Sequence, residues 1–480
     1  MERSWKEDII ARLLIAFGVI LLLGISPRSH RYMQAMQLAL KAVEGESYST
    51  AALHFSQAAA EQPWRKDLWE EAARHALAAG DPAAAVGHFQ QAGKLGALPV
   101  DTLIDLSDAF RKADVPGNAM EMLETAASQG GKDNARLYDR LVQAHLEARD
   151  YPAAIEDLKT LVAIRPNDGP VHYQLGLLLA ATLPRDAQAY LSRAAEIQPA
   201  LAEPANTIRR SIDTAVLSDD PAYSYIYIGR TLASLEEWAM AGEAFRQATL
   251  IRPDYGEAWA FLGEARQHLA AEASEPQAAL LDLQKGWTLD PRSVATNSFL
   301  ALYWQRQGRY DMAMVYLQAA ASIEPRNPVW QAEMGRSTAE DGDLLRAQSY
   351  YQKAIDLTPS DPTYWRLLAE FSLTYQSQVH EVALPAARQA VTLAPGDAAS
   401  LDLLGLVFYH LEDYHSAERF LLRALKADPD FALAHLHLGM NYLFMGDAQS
   451  AHDELSLAQV LDPESPAGSQ ARRLLDHYFP

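Results

Sequence analysis

The side chains best suited to chemistry stand in four places, and at each one the spacing argues against a reaction. Gly87 to Lys94 has the glycines and closing lysine of a phosphate-binding loop, whose backbone amides would cradle a nucleotide. Five residues separate Gly87 from Gly93, one too many, and Leu95 stands where a magnesium-binding hydroxyl belongs. His380-Glu381 begins like a zinc-protease helix, in which two histidines one turn apart hold the metal. Leu384 occupies the place of the second histidine. His435 and His437 are two apart on a helical stretch, point to nearly opposite sides and cannot chelate one ion. His410 and His415 flank a turn and read as surface or packing residues. No G-x-G-x-x-G or G-x-S-x-G occurs, and with no cysteine there is neither a thiolate metal site nor a disulfide. No catalytic, cofactor-binding or metal-binding residue is assigned, and the chain is expected not to be an enzyme.

Composition narrows the partners. A net charge of −21 and a pI near 5.1 argue against nucleic acid, whose phosphates demand clustered Lys and Arg. A hydrophobic content of 49% is ample for helices that each bury one face.

What positions these residues is a repeat. Leu404-Gly405, Ala417, Leu421, Ala424 and Pro429 return 34 residues later as Leu438-Gly439, Ala451, Leu455, Ala458 and Pro463. A fixed period of that length specifies stacked helical hairpins rather than one globular core. In a 34-residue frame, units begin at Tyr32, Lys66, Val100, Ala135, Gly169, Ala222, Gly256, Val294, Pro328, Pro362, Ala398 and Ala432. Position 20 is alanine in all twelve, from Ala51 to Ala451, when gaps are allowed in the fifth, seventh and tenth units. A methyl group recurring there implies two helices too close for anything larger. Glycine recurs at position 8 (Gly176, Gly229, Gly263, Gly335, Gly405, Gly439), where close packing must offset its helix penalty of about 1 kcal/mol. Proline at position 32 stops the second helix in ten units, Pro63 and Pro253 among them.

This pattern, with Trp259, Leu262, Gly263 and Trp365, Leu368 in frame, resembles the tetratricopeptide repeat over residues 32–463. The resemblance implies an all-α superhelical solenoid of about twelve helix-turn-helix repeats, with first-helix positions 2, 5, 9 and 12 facing a concave groove that holds a protein or peptide. The family's carboxylate clamp, basic at positions 5 and 9, is missing: Arg366 is followed by Glu370, and Asp402 by Leu406.

Two stretches depart from the frame, and a capping helix follows it. Residues 1–31 carry the apolar run Leu13 to Ile25 behind a charged start, and are expected to form one transmembrane signal-anchor helix. A short basic tail before a large domain favours repeats on the extracytoplasmic side of a single-pass protein. Residues 201–221 add an extra helix from about Pro204 to Leu217, with Ile208, Ile212, Ala215 and Val216 on one face. The expected organisation is anchor 1–31, five repeats in 32–200, linker 201–221, seven repeats in 222–465 and a capping helix in 466–480.

Groove positions collect apolar and aromatic side chains twice: Tyr173, Leu177, Tyr223, Ile226 and Arg230 beside the insert, then Leu406, Tyr409, Leu436 and Met440 near the end. Such patches mark contact surfaces. The expectation is a membrane-anchored, non-catalytic scaffold with a protein or peptide partner and no nucleic acid or small-molecule cofactor. The alternative is an accessory component of a cell-envelope assembly, polysaccharide or secretion machine.

Overall fold

The computed structural model describes residues 30–269 and 275–479. The anchor expected in residues 1–31 lies, but for its last two residues, outside that range. Among the described residues no helix is long and apolar enough to cross a membrane. They form twenty-six α-helices and no strand. Contacts divide the chain into two units, Met1–Arg209 and Arg210–Pro480, and the division falls inside the helix Ala202–Val216.

The first unit holds five hairpins, beginning His30–Glu44/Tyr48–Glu61 and ending Gly169–Thr182/Pro184–Ile197. The second holds seven, from Pro221–Ser234/Trp238–Ile251 to Ala432–Met445/Ala448–Leu461, followed by the terminal helix Pro466–Tyr478. Every expected unit start falls within two residues of an observed helix start. Within each unit a helix packs on the one that follows it, and first helices also touch the first helix of the next hairpin. The extra helix begins at Ala202, after a tight turn at Pro199–Leu201; Ala205, Ile208, Ile212 and Ala215 are buried, while Val216 is exposed.

The recurrent small residues set the spacing. Eleven of the twelve position-20 alanines have no exposed surface, and Ala119 has 5%. The glycines make room for a particular neighbour. A Cβ on Gly405 would lie 2.6 Å from Leu421 Cγ, and one on Gly229 would lie 2.5 Å from Phe245 Cε1. Leu421 and Phe245 are the large residues at position 24, so the second helix inserts that side chain into the notch that glycine leaves.

Ends are defined as sharply as middles. Second helices and connecting turns are capped by short acidic or amide side chains: Asp81, Asp150, Asp343, Asp413 and Asp447 each accept a bond from a backbone amide three residues on. Gly87–Lys94 lies within the helix Pro82–Lys94, so no phosphate loop exists there. His380 and Glu381 sit in a single wide helical turn, Val379–Ala383, and are both exposed.

Candidate interaction surface

In the first unit, the side lined by first helices is an ion ladder. Arg74 Nε donates to Asp105 at 3.2 Å, and Arg136 reaches the other oxygen of Asp105 at 2.6 Å. Arg140 Nε donates to Asp108 at 2.7 Å, and Arg136 also lies 3.4 Å from Asp108. Three successive first helices thereby bind one another through alternating charge. Their basic groups are already engaged, which leaves little unspent attraction for a charged partner.

In the second unit the same side changes character along the chain. Across its first three hairpins, Arg306 donates to Glu264 at 2.9 Å, and His268 stacks on Trp238 with ring centres 3.6 Å apart. A cleft of about 450 Å³ follows, lined by Gln305, Arg306, Tyr310, Arg336 and Glu340. Its guanidiniums are committed too, since Arg336 donates to Gln305 at 2.9 Å and to Glu333 at 2.5 Å.

Further on, three hairpins carry an apolar and aromatic surface. Tyr409, Tyr414 and Phe444 form a cluster with ring centres 5.3, 5.7 and 6.0 Å apart, the Tyr414–Phe444 pair stacked and the others edge-on. Phe444 is 63% exposed, while Leu406 and Tyr409 are half-buried. Burial, with Tyr414 and Tyr478 nearby, pushes the Tyr409 hydroxyl up to about 12.

The charges beside this cluster are settled with one exception. Arg366 donates to Asp397 at 3.0 Å, and His437 Nδ1 meets Asp402 at 2.8 Å. Glu370 reaches solvent but is crowded by its neighbours, and it makes no hydrogen bond or ion pair among the described residues. Partial burial raises its carboxyl above the usual carboxylate range, with Asp402 adding to the effect and Arg366 opposing it.

The expected contact residues fall out unevenly. Tyr173 is half-buried and Leu177 is only 7% exposed, both in the first unit. In the second unit Tyr223 and Arg230 are exposed, with the Arg230 guanidinium 5.7 Å from the centre of Phe261. Ile226 is 2% exposed and Leu436 is 1% exposed; both are core residues and offer a partner nothing. Leu436 is covered because the terminal helix folds over it, bringing Leu474 and Leu475 onto the same cluster as Met440 and Leu443. Leu406 and Tyr409 remain accessible. Phe444 and Tyr414 went unnoticed in the sequence, although Phe444 follows the groove position Leu443 by one residue.

A regular latch also joins the repeats. Trp259 and Trp365 each donate from Nε1 to the carbonyl of the repeat-ending proline six residues back, at 2.8 and 2.9 Å. Asn297 makes the same bond to Pro291 at 2.9 Å, and His172 and His435 reach Pro166 and Pro429 at 3.1 and 2.9 Å. Among the described residues no group of three or more His, Cys, Asp or Glu is placed to hold a metal ion.

The tetratricopeptide repeat family matches residues 333–398 and 373–432, so this part of the chain carries tetratricopeptide repeats. No curated protein matches the chain. Among solved structures, yeast Tom70 is 14% identical with a TM-score of 0.44, covering 93% of this chain and 95% of its own. The Cut9–Hcn1 hetero-tetramer of the APC/C is 15% identical with a TM-score of 0.38, covering 96% and 99%. MamA from Desulfovibrio magneticus RS-1 is 25% identical over 36% of this chain and 97% of its own, with a TM-score of 0.31.

Proposed function

We propose that the chain is a non-catalytic tetratricopeptide scaffold that holds a protein or peptide on the side lined by its first helices, tethered to a membrane by residues 1–31. The observation that carries the binding role is the Tyr409–Tyr414–Phe444 cluster, because a large aromatic ring left 63% exposed on a packed helix face gains most by meeting a partner. Leu406 and the unpaired Glu370 supply the apolar and polar surroundings that such contacts use. The tether rests on the thirteen-residue apolar run Leu13 to Ile25, extended to seventeen by Ile9 and Ile10 with Arg12 snorkelling to the headgroups. The extracytoplasmic placement of the repeats rests on the shortness of the basic tail ahead of a large domain, since Arg3, Lys6 and Arg12 before the run are balanced by Arg28, Arg31 and Lys41 after it.

Photo-crosslinking in cells tests the binding role. A crosslinking amino acid at Phe444 is expected to trap a discrete partner, and one at Leu345, on a second helix and 77% exposed, is not. Equal capture at both positions would overturn the assignment. The tether is tested separately by alkaline washing of membranes, where release of the chain into the soluble fraction removes it. Protease added to intact cells reports the side, with digestion of the repeats expected.

A further inference from the structure

We infer that the partner segment held at the C-terminal hairpins is basic, with an Arg or Lys side chain set beside apolar ones; this deepens the binding role proposed above and rests on it. The first helices here are Pro362–Thr374, Ala398–His410 and Ala432–Met445. Glu370, Leu406 and Met440 occupy the same place on each, nine residues into the helix, and so form a row. Met440 lies under the terminal helix, with Gln470 Nε2 3.7 Å from its sulfur, so the open part of the row is Glu370 and Leu406. Tyr409 follows Leu406 by three residues on the same helix, with the Phe444 ring centre 5.3 Å from its own.

Charge complementarity names the occupant. Between residues 398 and 480 there are twelve acidic and only five basic side chains, and none of the five is on a first helix. Arg419, Arg423 and Lys426 belong to the second helix Tyr414–Ala427, where both arginines lie over Phe420, and Arg472 and Arg473 belong to the terminal helix. The one arginine on these three first helices, Arg366, is held by Asp397. Asp402 is held by His437. Glu370 is therefore the carboxylate on this face whose charge has no partner at hydrogen-bond distance among the described residues, and its crowded setting makes ionisation costly until a cation arrives. The adjoining rings favour a cation as well, since a guanidinium stacks on an aromatic face. A partner carrying a carboxylate would meet the Glu370 carboxylate and be repelled.

The test uses the full-length chain in detergent and three fluorescein-labelled peptides, acetylated and amidated to remove terminal charge. One carries a single Arg between two Leu in a Gly-Ser background; the second replaces Arg by Glu, and the third replaces both Leu by Ser. Fluorescence anisotropy is expected to show the first binding about tenfold or more tightly than either relative. Glu370→Lys is expected to reverse the order of the Arg and Glu peptides, with helical content and Tm unchanged because Glu370 makes no bond the fold depends on. Equal binding of the Arg and Glu peptides, or an order that Glu370→Lys leaves unaltered, overturns the inference. If Phe444→Ala weakens both peptides equally while Glu370→Lys changes nothing, the groove keeps its binding role and the basic partner is rejected.

Discussion

At the scale of single residues, two kinds of contact hold each repeat to itself and to the next, and they differ in how sharply they can be disturbed. The proline latch is an ordinary hydrogen bond from a half-exposed ring. Trp259→Phe removes the donor to Pro253, now at 2.8 Å, together with part of the ring that Lys285 Nζ overlies at 3.6 Å. The expected loss is about 1 kcal/mol, read as a lower urea midpoint with unchanged slope. The glycine notch is far less forgiving. Gly405→Ala drives a methyl group to within 2.6 Å of Leu421 Cγ, an overlap that one of the two helices must relieve by moving. A loss of about 1–3 kcal/mol is expected. The diagnostic experiment is the double variant: Leu421→Ala alone opens a cavity, and combining it with Gly405→Ala should cost less than the sum of the two. Strict additivity would show that glycine there does something other than admit Leu421.

At the scale of the element, the turn inside each hairpin repeats a backbone shape that the sequence only half obeys. The residue at position 15 has positive φ in most hairpins: Gly308 at 67° and Gly342 at 92°, but also Glu46 at 52° and Glu236 at 63°. A side chain in that left-handed region costs roughly 1–2 kcal/mol that glycine avoids. Glu46→Gly and Glu236→Gly should therefore each raise the urea midpoint, by the equivalent of about 1 kcal/mol, whereas Gly342→Ala should lower it. The last hairpin adds a pH-sensitive contact. His435 Nε2 faces the Pro429 carbonyl and Nδ1 faces Glu454 at 2.5 Å, so both ring nitrogens meet acceptors and the protonated ring is favoured. Its pKa is raised, chiefly by Glu454. The resulting stability is complete below the ordinary imidazole value of about 6.5 and fades as pH climbs through the raised folded value. Thermal melts from pH 6 to 8 should show the wild-type chain losing more stability than Glu454→Gln.

These elements also show which features a sequence can reveal. Helix starts were legible because position 20 is alanine in every unit and position 32 a helix-stopping proline in ten of the twelve, so residue identity reports geometry directly. The latch was not legible because Trp, His and Asn share nothing there except an N–H group at the right height. The Arg136–Asp105–Arg74 ladder was hidden for a related reason: its members sit at different frame positions, and only the offset between neighbouring helices aligns them. At the binding surface, position alone marked Leu406, Tyr409 and Leu436 alike. Burial of Leu436 depends on the terminal helix folding back, a fact carried by Leu474 and Leu475 rather than by the repeat.

At the scale of the molecule, the decisive property is that contacts run between sequence neighbours. Within the second unit each helix packs on the next, and most first helices also touch the following first helix, so a defect should be felt one hairpin away and hardly beyond. A globule with one shared core would instead lose stability everywhere at once. Hydrogen exchange on Gly405→Ala distinguishes the two. Amides in its own hairpin, 398–427, should exchange about tenfold faster or more, because a loss of 1.4 kcal/mol or more in local opening energy has that consequence. Hairpins 362–393 and 432–461, which share its interfaces, should show a smaller acceleration. Hairpin 221–251, five interfaces away in the same unit, should keep its wild-type protection. Uniform loss of protection from 221 to 461 would mean that the unit unfolds as one block, and a surface near Glu370 would then be rigidly tied to every repeat before it. Graded loss means that the C-terminal hairpins can loosen and re-form around a partner while the remaining repeats hold their packing.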